Sequence, residues 1–251
     1  VELAGVVGDN ATVGAGATLT DGAVVGDDVD ADAGVVIDDR VESGAVVRRG
    51  ETMCGITGYI GDGIVLDDGD ADGGEGTATD GEVAGVGDIV HEGLRNLEYR
   101  GYDSAGVALV GETSGLTVAK RSGEVDNLTV PDVPDAALGV GHTRWSTHGP
   151  PTDANAHPHT DCTGDVAVVH NGIVENHEAL KAELADHEFT SDTDTEVIPH
   201  LIEEELAAQR GEGDLLNAVR AVEDRLEGSY AICAVREGED EIVVARRGSP
   251  L

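Results

Sequence analysis

From Val7 to Val47 the chain repeats every six residues, a period that belongs neither to an α-helix nor to a plain strand alternation. The first position of each hexad holds Val7, Val13, Leu19, Val25, Ala31 and Ile37, and lapses at Ser43. The fifth holds Ala11, Ala17, Ala23, Val29, Val35, Val41 and Val47. This pattern predicts a short left-handed parallel β-helix stub. The aliphatic position points inward, the small one sits at the corner, and Gly and Asp supply the turns. A low-complexity acidic linker is the alternative, and aliphatic first positions kept in register argue against it. Solenoid ends need neighbours to bury their faces, so a stub this short is expected to be marginal on its own.

The hexads stop at Arg48-Arg49-Gly50, and Met53, the only methionine, is followed directly by Cys54. Two unlike segments are therefore expected: 1–52, a hexad tail, and 53–251, a mixed α and β domain. Met53 reads as a translation start. On that reading residues 1–52 are the tail of an upstream product joined by fusion or read-through; the rival is a bifunctional polypeptide cleaved after Met53. In the second segment, Val83, Val86, Ile89, Val90, Leu94 and Leu97 recur at helical spacing and predict a helix over about 83–98. Further helices are expected at 177–185, 196–209 and 214–226. Strands are expected at 54–60, 63–66, 104–110, 116–120, 140–144, 166–170, 230–235 and 241–245. Residues 67–82 are acidic and glycine-rich, which reads as a surface loop. The end at Gly248-Ser249-Pro250-Leu251 reads as a domain cut short.

Acidic residues number 51 against 15 basic, a net charge of −36. A field of that sign repels nucleic acid and anionic membranes, so neither is expected as a partner. Such a chain strains itself by self-repulsion unless salt screens it, which points to an acidic surface adapted to molar salt, as halophiles use. Apolar residues make up 39%, with one Trp, one Phe and four Tyr, so small aliphatic side chains must fill the interior. Cys54, Cys162 and Cys233 form no CxxC pair, which suits neither a disulfide framework nor a zinc site. No apolar run approaches the roughly 20 residues that span a bilayer. No secretory signal is recognisable at the start. A reducing cytoplasm is the expected compartment.

Cys54 draws attention because, once Met53 is removed, one residue supplies both a thiol and a free α-amine. An α-amine has a pKa of about 7.7–8.0 and can take the proton of a thiol near neutrality. A buried structural cysteine is the commoner fate of such a residue. Four further blocks follow in order: Tyr99-Arg100-Gly101-Tyr102-Asp103-Ser104; Gly141-His142-Thr143-Arg144-Trp145-Ser146-Thr147-His148-Gly149 with Asn155-Ala156-His157-Pro158-His159; His170-Asn171-Gly172-Ile173-Val174-Glu175-Asn176-His177; and Ser191-Asp192-Thr193-Asp194-Thr195-Glu196.

With Cys54, these blocks resemble the class II glutamine amidotransferases, whose catalytic domain is an N-terminal-nucleophile hydrolase, and within them the fructose-6-phosphate aminotransferase branch. The resemblance covers essentially all of 53–251. It implies an α+β fold, a four-layer αββα sandwich of two antiparallel sheets. It implies hydrolysis of L-glutamine to glutamate and ammonia through a γ-glutamyl thioester on Cys54. It implies Asn171 and the Gly172 N–H as oxyanion donors and Arg100 as a residue orienting the nucleophile. Arg144 is implied for the substrate carboxylate, Asp194 for its ammonium, Thr147 and His148 for the pocket lining, and Trp145 for gating ammonia. Four have a plainer reading: Asn171-Gly172 as a hairpin turn, Arg144 as a surface ion pair, Asp194 as a helix cap, Trp145 as core. In the complete enzyme of that branch ammonia passes to a sugar-phosphate isomerase domain, absent here, and a homodimer is expected for the full-length form. No cofactor and no metal are implied; His157 and His159, two apart across a proline, make a weak metal pair. Cys162 and Cys233 read as bystanders.

The hexads in turn resemble the β-helix that closes sugar nucleotidyltransferases and acyltransferases. All histidines lie at or beyond His91, so no catalytic histidine sits among them. Three alternatives stay open: another class II amidotransferase with a different ammonia acceptor, a fragment of a sugar-nucleotide acyltransferase, and a fold left inactive because residues 1–52 block the Cys54 amine.

Overall fold

The structure is a computed structural model. It describes residues 54–61, 83–146, 148–209 and 213–249, with the backbone of short strands within 5–47 and of 64–65. The chain divides into two compact units, Val1–Met53 and Cys54–Leu251.

In the first unit the described strands are two or three residues long and pair in parallel. Gly5 pairs with Ala23, Thr12 with Asp30 and Thr18 with Val36, but Val24 pairs with Arg40 and Asp30 with Val46. The offset between partners thus shortens after the first ladders. The strands fall into separate sheets of three, three and two. Among the described residues they close into no curled sheet. The expected left-handed β-helix stub, and the likeness to a sugar nucleotidyltransferase or acyltransferase tail built on it, are corrected accordingly. The physical reason lies in the sequence: the aliphatic register lapses at Ser43, and the spacing between ladder partners is not kept from one ladder to the next within a sheet.

The second unit is α+β. Strand β1 (Gly55–Ile60) is followed by a two-residue pairing of 64–65 with 83–84 and by helix α1 (Val86–Leu97). Then come β2 (Ser104–Gly111), β3 (Gly115–Ser122) and β4 (Ala136–Arg144). The two-residue β5 (His159–Thr160) and β6 (Val166–Val174) lead to α2 (His177–Glu183), α3 (Val197–Ala208) and α4 (Leu215–Glu223). Strands β7 (Gly228–Arg236) and β8 (Val243–Arg247) finish the unit. One antiparallel sheet runs β3-β2-β4-β1, the other β5-β6-β7-β8.

Alternation along the strands sets the layers. On β2, Ala105, Val107 and Leu109 turn to α1 and meet Val86, Val90 and Leu94, while Ala108 and Val110 turn the other way. Those two pack with Leu138 and Val140 of β4 against Ala167 and Val169 of β6 and Cys233 and Val235 of β7, so the two sheets bury each other. The outward residues Val166, Val168, Ile232 and Ala234 are covered by Leu180, Ile198, Leu201, Ile202, Leu215 and Val219 from α2 to α4. Each such aliphatic side chain contributes about 1.5–3 kcal/mol on burial. Close approach compensates for the shortage of aromatics. A Cβ on Gly141 of β4 would lie 2.8 Å from Val90 Cγ1, so α1 rests directly on the strand. Helix starts are capped by carboxylates: Asp88 Oδ2 accepts from Gly85 N at 3.1 Å and Asp214 Oδ1 from Asn217 N at 2.7 Å.

Two local expectations change. Strand β6 does not end at His170: it runs on through Asn171-Gly172 to Val174, with Gly172 paired to Tyr230, so Asn-Gly is no hairpin turn. Strand β5 carries too short a pattern to be foreseen. The acidic stretch 67–82 lies outside the described residues.

Candidate active site

Cys54 stands at the head of β1, beside the end of β4. Its Sγ accepts a hydrogen bond from Trp145 N at 3.2 Å, and the Trp145 carbonyl oxygen lies 3.6 Å from the same sulfur. The next residue is fixed as well: Gly55 N donates to Thr143 Oγ1 at 3.1 Å. Burial pushes the Cys54 thiol up; the Trp145 N–H and the Arg144 guanidinium work against that, and the net shift remains upward. A thiol so placed is protonated at neutral pH and needs a base before it can attack.

Asn171 arrives from the other sheet. Its Nδ2 donates to the Cys54 carbonyl oxygen at 2.7 Å. Its Oδ1 lies 3.1 Å from His142 Nε2, which is also 3.1 Å from the His170 carbonyl oxygen. Two acceptors around Nε2 require that nitrogen to carry the proton, and this in turn aims the Asn171 amide N–H₂ at Cys54. Burial keeps His142 neutral, with its pKa pushed down to about 3. His142 is thus a positioning residue that sequence reasoning passed over, although it lies inside a quoted block. Gly172 follows at φ +119°, and a Cβ there would lie 2.1 Å from the Ser229 carbonyl oxygen. Only glycine keeps β6 in register through this point, and it leaves the backbone beside Asn171 exposed.

The loop after β4 is built around Arg144 and Asp103. Arg144 is buried, and its terminal nitrogens donate to the carbonyls of His148, Gly149 (3.3 Å) and Pro150 (3.4 Å). Asp103 Oδ2 accepts from Ser146 N at 2.8 Å, and Asp103 N donates to the Arg144 carbonyl at 3.1 Å. Gly101 presses on the same backbone: a Cβ there would sit 2.6 Å from the Arg144 carbonyl carbon and 2.9 Å from Trp145 N. Arg100 lies in the single turn Glu98–Arg100 just before it. The Trp145 ring meets Tyr102 edge-on, with centroids 5.1 Å apart. Thr147 lies outside the described residues.

Asp194 completes the site from the segment ahead of α3. It is buried, its Oδ2 accepts from Val174 N at 2.8 Å, and its Oδ1 lies 3.9 Å from His148 Nδ1. It therefore ties the end of β6 to the loop that follows Arg144 and is no helix cap. Asn155 makes a second tie, donating from Nδ2 to the Pro150 carbonyl at 3.0 Å and accepting from Asp192 N at 2.9 Å. Glu196 shapes the same segment by accepting four bonds of 2.7–2.8 Å from Thr190 and Ser191. Burial alone would raise its pKa, but these bonds hold the carboxyl below its usual range. His157, His159 and His170 are buried beside His142, with centroids 4.2 Å apart for His142 and His157 and 4.8 Å for His157 and His159. Burial lowers the pKa of all three, so they fill space as neutral rings.

A thiol and an amide donor meeting at one strand head, with a buried guanidinium and a buried carboxylate close by, are the parts of an amide-hydrolysing centre. Residues 142–249 match a family model described as a glutamine amidotransferase domain. This match and the relatives that follow support an enzymatic glutamine-amidotransferase function for the chain. It is 59% identical over 201 residues to the glutamine–fructose-6-phosphate aminotransferase (isomerizing) of Halobacterium salinarum, over 79% of this chain and 29% of that protein. It is 50% identical over 206 residues to the enzyme of the same name from Streptomyces coelicolor, with the same coverage. The chain thus spans 29% of the length of these curated relatives. Among solved structures, the glutamine phosphoribosylpyrophosphate amidotransferase of B. subtilis, complexed with ADP and GMP, superposes with a TM-score of 0.50 at 26% identity, covering 63% of this chain and 34% of that one.

Proposed function

We propose that this domain hydrolyses L-glutamine with Cys54 as its N-terminal nucleophile, and that in the whole protein the ammonia aminates fructose-6-phosphate on a separate sugar-phosphate isomerase domain. The observation that carries the reading is the placement of Cys54 between the Trp145 N–H and the Asn171 amide. Once the bond between Met53 and Cys54 is cleaved, the freed α-amine takes the thiol proton. Sγ then attacks the γ-carbonyl carbon of glutamine. The developing oxyanion is received by Asn171 Nδ2 and the Gly172 N–H, donors of a kind that contribute roughly 10²–10³ in rate.

Collapse of the tetrahedral intermediate breaks the C–N bond. The amine returns its proton to the leaving nitrogen, and ammonia departs from a γ-glutamyl thioester. Water, deprotonated by the same amine, hydrolyses the thioester to glutamate and restores the thiol. Arg144 holds the substrate α-carboxylate and Asp194 the α-ammonium, with His148 beside Asp194. Arg100 orients the nucleophile's surroundings and Trp145 gates the departing ammonia.

Support for the carboxylate and ammonium roles is the burial of both Arg144 and Asp194. The two opposite charges act on each other through space, and a zwitterionic amino acid adds an opposite charge beside each. No helix among the described residues is long and apolar enough to cross a membrane. Glutaminase assays on a Met53-start polypeptide and on its Cys54→Ala variant, in molar potassium chloride, test the nucleophile. The reading predicts activity in the first and none in the second; equal turnover in both refutes it.

A further inference from the structure

Away from the site, the turn between β5 and β6, the connection from α2 to α3, and the first two turns of α3 bring four donors to one point. They are Cys162 Sγ, His187 Nδ1, His200 Nδ1 and Glu203 Oε2, all within 4.8 Å of one another. Sγ is 3.4 Å from His187 Nδ1 and 3.5 Å from His200 Nδ1. The two imidazole nitrogens are 3.3 Å apart, and Glu203 Oε2 is 3.3 Å from His187 Nδ1 and 3.6 Å from His200 Nδ1.

We propose that Cys162, His187, His200 and Glu203 form a structural binding site for a tetrahedral divalent metal ion, with zinc the best match. Zinc bonds of about 2.0–2.3 Å imply tetrahedron edges of about 3.3–3.8 Å. Five of the six separations among the four donors, those given above, fall in that range, and the sixth, between Cys162 Sγ and Glu203 Oε2, lies within 4.8 Å. Ordinary hydrogen bonding gives no reason for two imidazole nitrogens, a sulfur and a carboxylate oxygen to converge on one point. The donor chemistry also suits the ion. One thiolate, one carboxylate and two neutral imidazoles balance a divalent charge, and binding releases the thiol proton to solvent.

His200 is fully buried, with its ring packed on Phe189 at 4.7 Å, so its direction is fixed. His200 and Glu203 lie three residues apart on one face of α3. Glu204 Oε1 lies 3.7 Å from His187 Nε2, where a carboxylate steadies a metal-bound imidazole from behind. The Cys162 backbone N–H adds a bond to Glu203 Oε2 at 3.0 Å. A metal here pins the start of β6, which carries Asn171, to the connection that carries Asp194. It does so independently of the glutaminase chemistry.

The test is metal analysis of the full chain purified without chelator, followed by replacement of the bound ion with Co²⁺. The expected result is one zinc per chain, a higher melting temperature with the ion than after chelation, and a Co²⁺ complex with tetrahedral visible bands and a thiolate-to-metal absorption. That absorption vanishes in Cys162→Ser and persists in Cys54→Ala. His187→Gln, whose ring is partly exposed, weakens Co²⁺ binding at least tenfold and serves if Cys162→Ser does not fold. A chain that takes up neither zinc nor Co²⁺, or a sulfur absorption that survives Cys162→Ser, overturns the site.

Discussion

Asn171 donates its side-chain amide to the backbone carbonyl of Cys54 across 2.7 Å, joining the head of β1 to the middle of β6. On the proposed function this bond holds the Asn171 amide at the Cys54 residue before substrate arrives, ready to serve as an oxyanion donor. Asn171→Ala should therefore lower kcat for glutamine hydrolysis by roughly 10²–10³ and leave KM within a few-fold. Steady-state assays check this; an unchanged kcat removes Asn171 from the oxyanion site.

His142 acts one step further out. His142→Leu removes the N–H that fixes the Asn171 amide, at 3.1 Å from Oδ1. The expected loss is in kcat, smaller than for Asn171→Ala, and the two losses should not add when both residues are changed. Additive losses would show that the two residues act separately.

Gly172→Ala forces a side chain into a φ of +119° and against the Ser229 carbonyl. The backbone strain alone costs about 1–3 kcal/mol. Urea unfolding in high salt should show a loss at least that large, with β6 and β7 the strands affected.

Stability should fall on mild acidification. His142, His157, His159 and His170 all have folded pKa values below the ordinary histidine value, chiefly through burial. Above about pH 6.5 both folded and unfolded forms are neutral and nothing is lost. Below it the unfolded chain takes up protons that the folded chain refuses. Each ring then removes up to about 1.4 kcal/mol per pH unit until its folded pKa is reached. Urea midpoints measured from about pH 7 to about pH 5 should therefore drop steeply; a flat or rising profile contradicts the neutral assignment.

Much of the second unit could be read in advance because its periodicities are long and clean. Val86, Val90 and Leu94 recur on one face of α1, and the continuous apolar run from Val166 to Val169 is buried on both faces of its sheet. What stayed hidden depends on three-dimensional company. Asn171-Gly172 has the chemistry of a turn, and only its pairing to Ala231 and Tyr230 keeps it inside a strand. The role of His142 exists only once Asn171 is beside it. Cys162 shows no metal spacing along the chain, because its companions come from a loop and a helix brought in by the fold. In the first unit the six-residue period was plain, but a period alone does not fix whether short parallel ladders join into one coil.

The account depends on Cys54 acting with its own α-amine as base. Its most direct measurement is glutamine turnover by a polypeptide whose first residue is Cys54, set beside the same polypeptide with residues 1–53 still attached and verified intact by mass. The account predicts ammonia release from the first and none from the second. Equal release by the chain in which the Cys54 nitrogen is still an amide would contradict it.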